Sequence, residues 1–421
     1  MHRVASLLRG PRGLSLATQG VGAVFGFAGF ALVARALAPA EFGVWVLYLT
    51  GAAFVDVLRS GLAQAALVRE TAGLAGPRGA ASAGAAWIVG AAASVALAVV
   101  AGGGAVVGGG VWWALPAWAL ASLGHTVTGW EAQAQERFGR VLALRLALSA
   151  AFVAAVLAWG GALTLPVLAW THAGIHLLVS LGAIASRWGR PWAVRDARRG
   201  DVARLLRFGR FSAATTLGAY LLRSADALIL GAVLGPGAVA LYGVPQKLVE
   251  AAEVPVRGLG AAAYPALSRS ARASDAAAFL SRLRRDVLGI TALLVPGAAL
   301  GWVFAAEATA FLGGATYAEA AAPFRWFVLY ALLLPADRFL GLALDALDRP
   351  HLNTAKVGAM MVANLVGDAA ALALGFGVTG VAAVTVGMTA VGVAVGAALV
   401  ARELGSGFAP SVPMFRPAAS L

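Results

Sequence analysis

The sequence contains no cysteine, so disulfides and thiolate metal sites are excluded. Charged residues make up only 12% of its 421 positions, against roughly 25% in a soluble globular chain. The deficit runs along the whole length, which leaves no room for a separate water-soluble catalytic domain. Histidine is scarce, five residues scattered along the chain, which argues against a His-ligated metal site. No metal and no cofactor is expected.

What the chain has instead is apolar. Hydrophobic residues reach 60%, and mean hydropathy is +0.82. Glycine (53 residues) and alanine are abundant, as suits helices that approach backbone to backbone in lipid. The formal net charge of +13 raises the question of nucleic acid. Its placement answers it, because the arginines sit in short segments between apolar runs. No nucleic-acid partner is expected.

A membrane span needs about 20 mostly apolar residues. The first half offers Leu14–Ala34, Phe42–Leu67, Ala81–Ala101, Val111–Trp130, Val141–Trp159 and Leu163–Ala185. The second offers Phe211–Leu234, Val239–Leu267, Val287–Ala306, Ala320–Leu344, Ala355–Phe376 and Val381–Val400. The first run is too long for the apolar core of a signal peptide, about 7–15 residues, and is read as an uncleaved span. The expectation is an all-α, polytopic membrane protein of about twelve transmembrane helices.

Every second connection is basic: Arg3, Arg9 and Arg12; Arg69 and Arg78; Arg137 and Arg140; the run from Arg187 to Arg210; Arg269 to Arg285; Arg349 and Lys356; Arg402 and Arg416. This alternation predicts a cytoplasmic (inner) membrane protein with both termini cytoplasmic. The chain then divides into a lobe over 1–185, a basic cytoplasmic linker over 186–210 and a second lobe over 211–421. With Trp188, Trp192, Val194, Val202, Leu205 and Leu206 among its arginines, the linker suits a helix lying at the interface. It equally suits a basic connector that only fixes topology. Ser268–Arg285 has a similar character.

A shift of 197 residues superimposes Leu32-Val33 on Ile229-Leu230, Pro39 on Pro236, Asp56 on Glu253 and Gly61-Leu62 on Gly258-Leu259, without a gap. Six spans per half give two like-oriented repeats, a transporter architecture with substrate handled between lobes.

Ionisable groups within spans cost roughly 2.5–3.5 kcal/mol each on insertion scales, so they face a cavity or a partner. Asp56 and Arg59 lie three residues apart on the second span, as do Arg223 and Asp226 on the seventh. On the eighth, Lys247, Glu250, Glu253 and Arg257 form one polar stripe. Arg145, Arg325, Asp337, Arg338, Asp345 and Asp368 complete the set. Salt pairs that hold packing explain such groups, and so does a charge-lined cavity. Pro116, Pro166, Pro245, Pro255, Pro296 and Pro335 are expected to interrupt spans.

The segment Leu32–Leu67, LVARALAPAEFGVWVLYLTGAAFVDVLRSGLAQAAL, resembles the opening of bacterial polysaccharide-biosynthesis flippases. These belong to the multidrug/oligosaccharidyl-lipid/polysaccharide (MOP) exporter superfamily. Ala38 stands where that pattern usually has glycine. From Arg223 to Arg269 the match is closer, through Asp226, Gly231, Leu234-Gly235-Pro236, Tyr242, Pro265 and Ser268. A third stretch covers Asn353 to Val400.

The resemblance implies a MATE-like fold of two parallel-repeat six-helix lobes that flips a lipid-linked glycan by alternating access. Its partners would be that lipid-linked substrate, membrane lipids, and a glycan polymerase or glycosyltransferases. A phosphate-bearing substrate implies a cationic anchor, for which Arg59, Arg223, Lys247 and Arg257 are candidates. Asp56, Asp226, Glu250 and Glu253 would orient those cations or carry a coupling ion. A drug or cation antiporter of the same superfamily is the alternative. The peptidoglycan-precursor branch, with about fourteen spans, is less favoured. A membrane glycosyltransferase or polymerase is disfavoured further, since the outer connection at Ala306–Ala320 offers only Glu307 and Glu319.

Overall fold

A computed structural model describes residues 11–71 and 77–405. Arg3, Arg9 and Arg416, used above for orientation, lie outside the described residues. Among those described, the regular structure is helical: α1 (Pro11–Ala36), α2 (Pro39–Thr71), α3 (Pro77–Gly108), α4 (Ala114–Ala121), α5 (Leu123–Ala134), α6 (Phe138–Trp159) and α7 (Leu165–Ala185). There follow α8 (Arg199–Val233), α9 (Pro236–Arg272), α10 (Ala276–Val303), α11 (Ala305–Gly313), α12 (Ala321–Ala346), α13 (Pro350–Ala373) and α14 (Gly377–Gly405).

Each expected span is occupied by helix. Ten of these stretches are long and apolar enough to cross a membrane. The 22 residues of α6, at 1.5 Å each, reach about 33 Å, close to the thickness of a bilayer core. The two expected spans outside the ten have physical reasons to stand apart. The fourth is split at Ser122 into α4 and α5, neither long enough alone. The eighth, α9, carries the Lys247–Arg257 stripe and three internal prolines.

Prolines start helices more often than the sequence suggested. Pro39, Pro236 and Pro350 open α2, α9 and α13, where the missing N–H has no partner to lose. Pro116 and Pro166 belong to the first turns of α4 and α7 rather than interrupting a span. Pro245, Pro255, Pro296 and Pro335 do lie inside helices.

The chain forms two compact units, residues 1–240 and 241–421. The boundary therefore falls in the first turns of α9, beyond the basic segment where the sequence suggested it. In the first unit α2 packs along α8 at glycine contacts. A Cβ on Gly61 would lie 2.6 Å from the Ala213 Cα, and one on Gly209 would strike the Leu62 carbonyl oxygen. Such approaches need residues without side chains. These contacts bind the seventh expected span, α8, to the first unit.

The basic linker is not an independent interfacial helix. It contains a 3-10 helix, Pro191–Asp196, after which Arg199–Arg210 forms the opening turns of α8. Glu131 of α5, almost fully buried, fastens this segment. Its carboxylate accepts from the Trp87 Nε1 at 2.6 Å and from the Arg190 Nε at 2.9 Å. A Cβ on Gly84 would overlap the Ala193 carbonyl oxygen, so α3 and the 3-10 turn lie backbone to backbone. Ser268–Arg285 likewise forms the ends of α9 and α10, joined at Asp275, which accepts from the Ala278 N–H at 2.8 Å.

In the second unit α12 packs against α10 and α14, with α13 alongside α14. Its apolar core includes Phe279, Leu283, Ile290, Phe339, Leu340 and Leu344.

Candidate functional site

Within the first unit, helices α1, α2 and α4 to α7 line an open cavity of about 400 Å³. Helical periodicity selects its wall. On α2, Leu49, Ala52, Asp56 and Arg59 recur at intervals of three and four, so they share a face. His172 and His176 stand one turn apart on α7. The loosening at Ser122, between α4 and α5, lets Trp118 and His125 both line the space.

Arg59 is completely buried, and its hydrogen-bond donors are fully used. Nε and Nη2 donate to Asp56 Oδ1 at 3.1 and 2.9 Å, and Nη2 also donates to Thr126 Oγ1 at 2.8 Å. Nη1 donates to Ser122 Oγ at 3.0 Å, to the Ala119 carbonyl at 3.3 Å and to Ser94 Oγ at 3.4 Å. The guanidinium carbon lies 5.6 Å from the Trp118 ring centroid. A guanidinium so engaged has no donor to spare for a phosphate. Arg59 is a tie between α2, α3, α4 and α5. Its partner Asp56 keeps a side chain half exposed on the cavity wall.

Arg145 on α6 is the cation that the cavity leaves available. Among the described residues it makes no ion pair or hydrogen bond, and its guanidinium lies against Gly22 of α1. A Cβ at Gly22 would come within 2.7 Å of the Arg145 Nη2, so glycine there makes room for the charge.

The scattered histidines are not scattered in space. Three of the five, His125, His172 and His176, converge here, 47 and 51 residues apart along the chain but on neighbouring helices. His125 Nε2 and His176 Nδ1 are 2.8 Å apart, and the His172 and His176 ring centroids are 4.5 Å apart. Tyr48 Oη lies 3.3 Å from His172 Nδ1. Trp118 stacks on His172 at 5.9 Å, and Trp45 stacks on Tyr48 and Phe152. Sequence spacing held no signal for this cluster beyond the one-turn interval of His172 and His176.

The other expected site residues lie elsewhere. Arg223 on α8 is exposed, while Asp226 one turn later is buried. In the second unit the α9 stripe resolves into pairs along the helix, Lys247 with Glu250 at 2.7 Å and Arg257 with Glu253 at 3.0 Å. Arg325 donates to the Trp302 carbonyl at 3.3 Å, Arg338 is exposed, and Asp345 accepts from Asn353. Asp337 pairs with Lys356 at 2.6 Å. Lys356 was assigned to a connection by sequence. It lies instead on α13, buried, on one face with Met360, Asn364 and Asp368. Asn364 donates to Asp368 at 3.2 Å.

Residues 118–271, which include α5 and the cavity's histidines, match the family model described as Polysaccharide biosynthesis protein. No curated protein matches the sequence. Among solved structures, the chain is similar to an inward-facing multidrug resistance MATE family transporter of the MOP superfamily. The TM-score is 0.74 at 12% identity, covering 92% of this chain and 96% of that one. It is similar also to the Lipid II flippase MurJ in its inward closed conformation, with a TM-score of 0.72 and 11% identity over 92% and 87% of the two chains. A third is a MOP superfamily transporter from Pyrococcus furiosus whose binding pocket is described as reversed in polarity. There the TM-score is 0.59 at 14% identity, over 94% and 98%. The fold is thus that of the MOP superfamily transporters, and within it residues 118–271 carry the pattern of the polysaccharide biosynthesis protein family.

Proposed function

We propose that the chain is a flippase that moves a lipid-linked oligosaccharide or polysaccharide precursor across the cytoplasmic membrane by alternating access. It is a transporter in this reading, not an enzyme, with both termini cytoplasmic and two repeat-related lobes of six spans. The observation that carries it is the polysaccharide biosynthesis pattern over residues 118–271, which supports a glycan substrate within a fold shared by drug exporters and a lipid flippase.

The charge of the first-unit cavity supports the same reading. Asp56 neutralises Arg59, which leaves Arg145 as the excess charge. A guanidinium with open donors suits the phosphate or pyrophosphate of a lipid carrier. Arg145 therefore replaces Arg59 as the proposed anchor in this cavity. Arg223, Lys247 and Arg257 remain candidates for the rest of the path, with Asp226, Glu250 and Glu253 as the carboxylates that orient them. The second reading, a drug or cation antiporter, draws on the half-exposed Asp56 and on Trp118, which line the same cavity. An exposed carboxylate already paired with Arg59 is a poor cation receptor, so the anionic substrate is preferred.

Deleting the gene and following labelled lipid-linked sugar tests the proposal. The labelled intermediate should accumulate on the cytoplasmic face, and the intact chain should clear it while Arg145→Gln does not. Normal export in the deletion strain would refute the flippase reading. Clearance by Arg145→Gln would refute only the anchor.

A further inference from the structure

The histidine cluster has a feature that neither packing nor the Arg59 tie uses. We propose that His125 and His176 form a proton-binding site inside the first unit, opening on the cavity.

The geometry is that of a ready acceptor. At 2.8 Å, one of the two facing nitrogens donates its N–H and the other accepts. In either tautomer the donating ring keeps a bare nitrogen on its far side. An incoming proton takes that lone pair. The positive charge is then shared across the short bond, while no covalent bond breaks and nothing is oxidised. The rings are held for this. The His125 backbone N–H donates to Ser180 Oγ at 3.0 Å, and that hydroxyl donates to the Ala121 carbonyl at 2.6 Å. A Cβ on Gly124 would come within 2.7 Å of the Ser180 Cβ, so α5 lies tight on α7. Both histidines line the cavity.

The groups facing the pair set its response. From α2 come Asp56, Arg59 and Tyr48; from α6 comes Arg145; α7 adds His172. Helices α1, α3 and α4 contribute neutral groups, Thr18, Ser94, Ser122 and Trp118. Asp56 and Arg59 cancel, so a bound proton adds to Arg145 and raises the cavity from one positive charge to two. Proton uptake would then favour an anionic occupant, and the occupant would favour the proton. That consequence rests on the flippase reading; the proton site itself does not.

Trp118 supplies a readout, since it stacks on His172 and meets His176 edge-on at 5.4 Å. Tryptophan emission of the full chain in lipid nanodiscs is titrated downward from about pH 8, through the ordinary imidazole range and on to the lowest pH at which the chain stays folded. The Trp118→Phe variant is subtracted to isolate the local signal. The difference trace should show one quenching step. That step should vanish in His125→Gln and in the double variant His125→Gln/His176→Gln, and persist in His172→Gln. A flat wild-type difference trace overturns the proposal, and needs no variant of the pair to fold. So does a step that survives in His125→Gln, or one abolished by His172→Gln. None of these outcomes bears on export, so failure here leaves the flippase reading to its own test.

Discussion

Arg59 and Arg145 line the same cavity with opposite commitments, and their replacements should separate cleanly. Arg59→Gln strands Asp56 and frees the hydroxyls of Ser122 and Thr126. Breaking a buried pair costs about 3–5 kcal/mol. The half-exposed Asp56 places this one at or below the lower end of that range. Thermal unfolding in detergent should therefore show a clear fall in Tm for Arg59→Gln. Arg145→Gln, which breaks no ion pair or hydrogen bond among the described residues, should stay within about 0.5 kcal/mol of the parent and lose export. At this scale the sequence was informative wherever partners lie within one helical turn. Asp56–Arg59, Lys247–Glu250 and Glu253–Arg257 are ion pairs at the spacings expected. It was silent on partners from different helices, which is why the His125–His176 pair and the full set of Arg59 partners lay beyond its reach. Local spacing reports one helix, and a saturated guanidinium draws its partners from four.

Between elements, the repeat predicts equivalence and the packing departs from it. Gly61 and Gly258 fall on each other in the 197-residue shift. Gly61 faces the backbone of α8, whereas a Cβ on Gly258 meets nothing within 4 Å. Gly61→Leu should separate α2 from α8 and cost about 1–3 kcal/mol, as overpacking does. Gly258→Leu should leave Tm almost unchanged. Comparing the two melting curves checks this, and equal losses would show that the contact is not specific to the first unit. A second prediction concerns the Glu131 clamp. Glu131→Ala removes the acceptor shared by Trp87 and Arg190, and brief trypsin treatment should then cut faster at Arg187 or Arg195. An unchanged cleavage rate would mean that the Gly84–Ala193 contact holds the segment alone. The linker's character was half legible. Its basic, Trp-bearing composition was plain, but nothing local announced that Arg199–Arg210 would join α8, because the capping at Arg198 and Asp201 and the contacts along α2 decide it.

For the whole molecule, the membrane class and the span positions were readable because lipid leaves the chain few choices. Apolar runs of 20 residues must be helices there, and their ends are marked by proline and arginine. Orientation and activity remain to be measured. The absence of cysteine makes this direct, since single cysteines at the exposed Ser186 and Ser281 report without background. Both should react with a membrane-impermeant maleimide only from the cytoplasmic side, and labelling of either from outside would overturn the arginine-based topology. The central claim, flipping of a lipid-linked glycan, is tested most directly in liposomes. A polyprenyl pyrophosphate sugar bearing an NBD fluorophore on its sugar is placed in both leaflets, and dithionite is added outside. Vesicles holding the intact chain should lose nearly all fluorescence, whereas empty vesicles and those holding Arg145→Gln should stop near one half. A plateau near one half with the intact chain, correctly folded and inserted, would contradict the account.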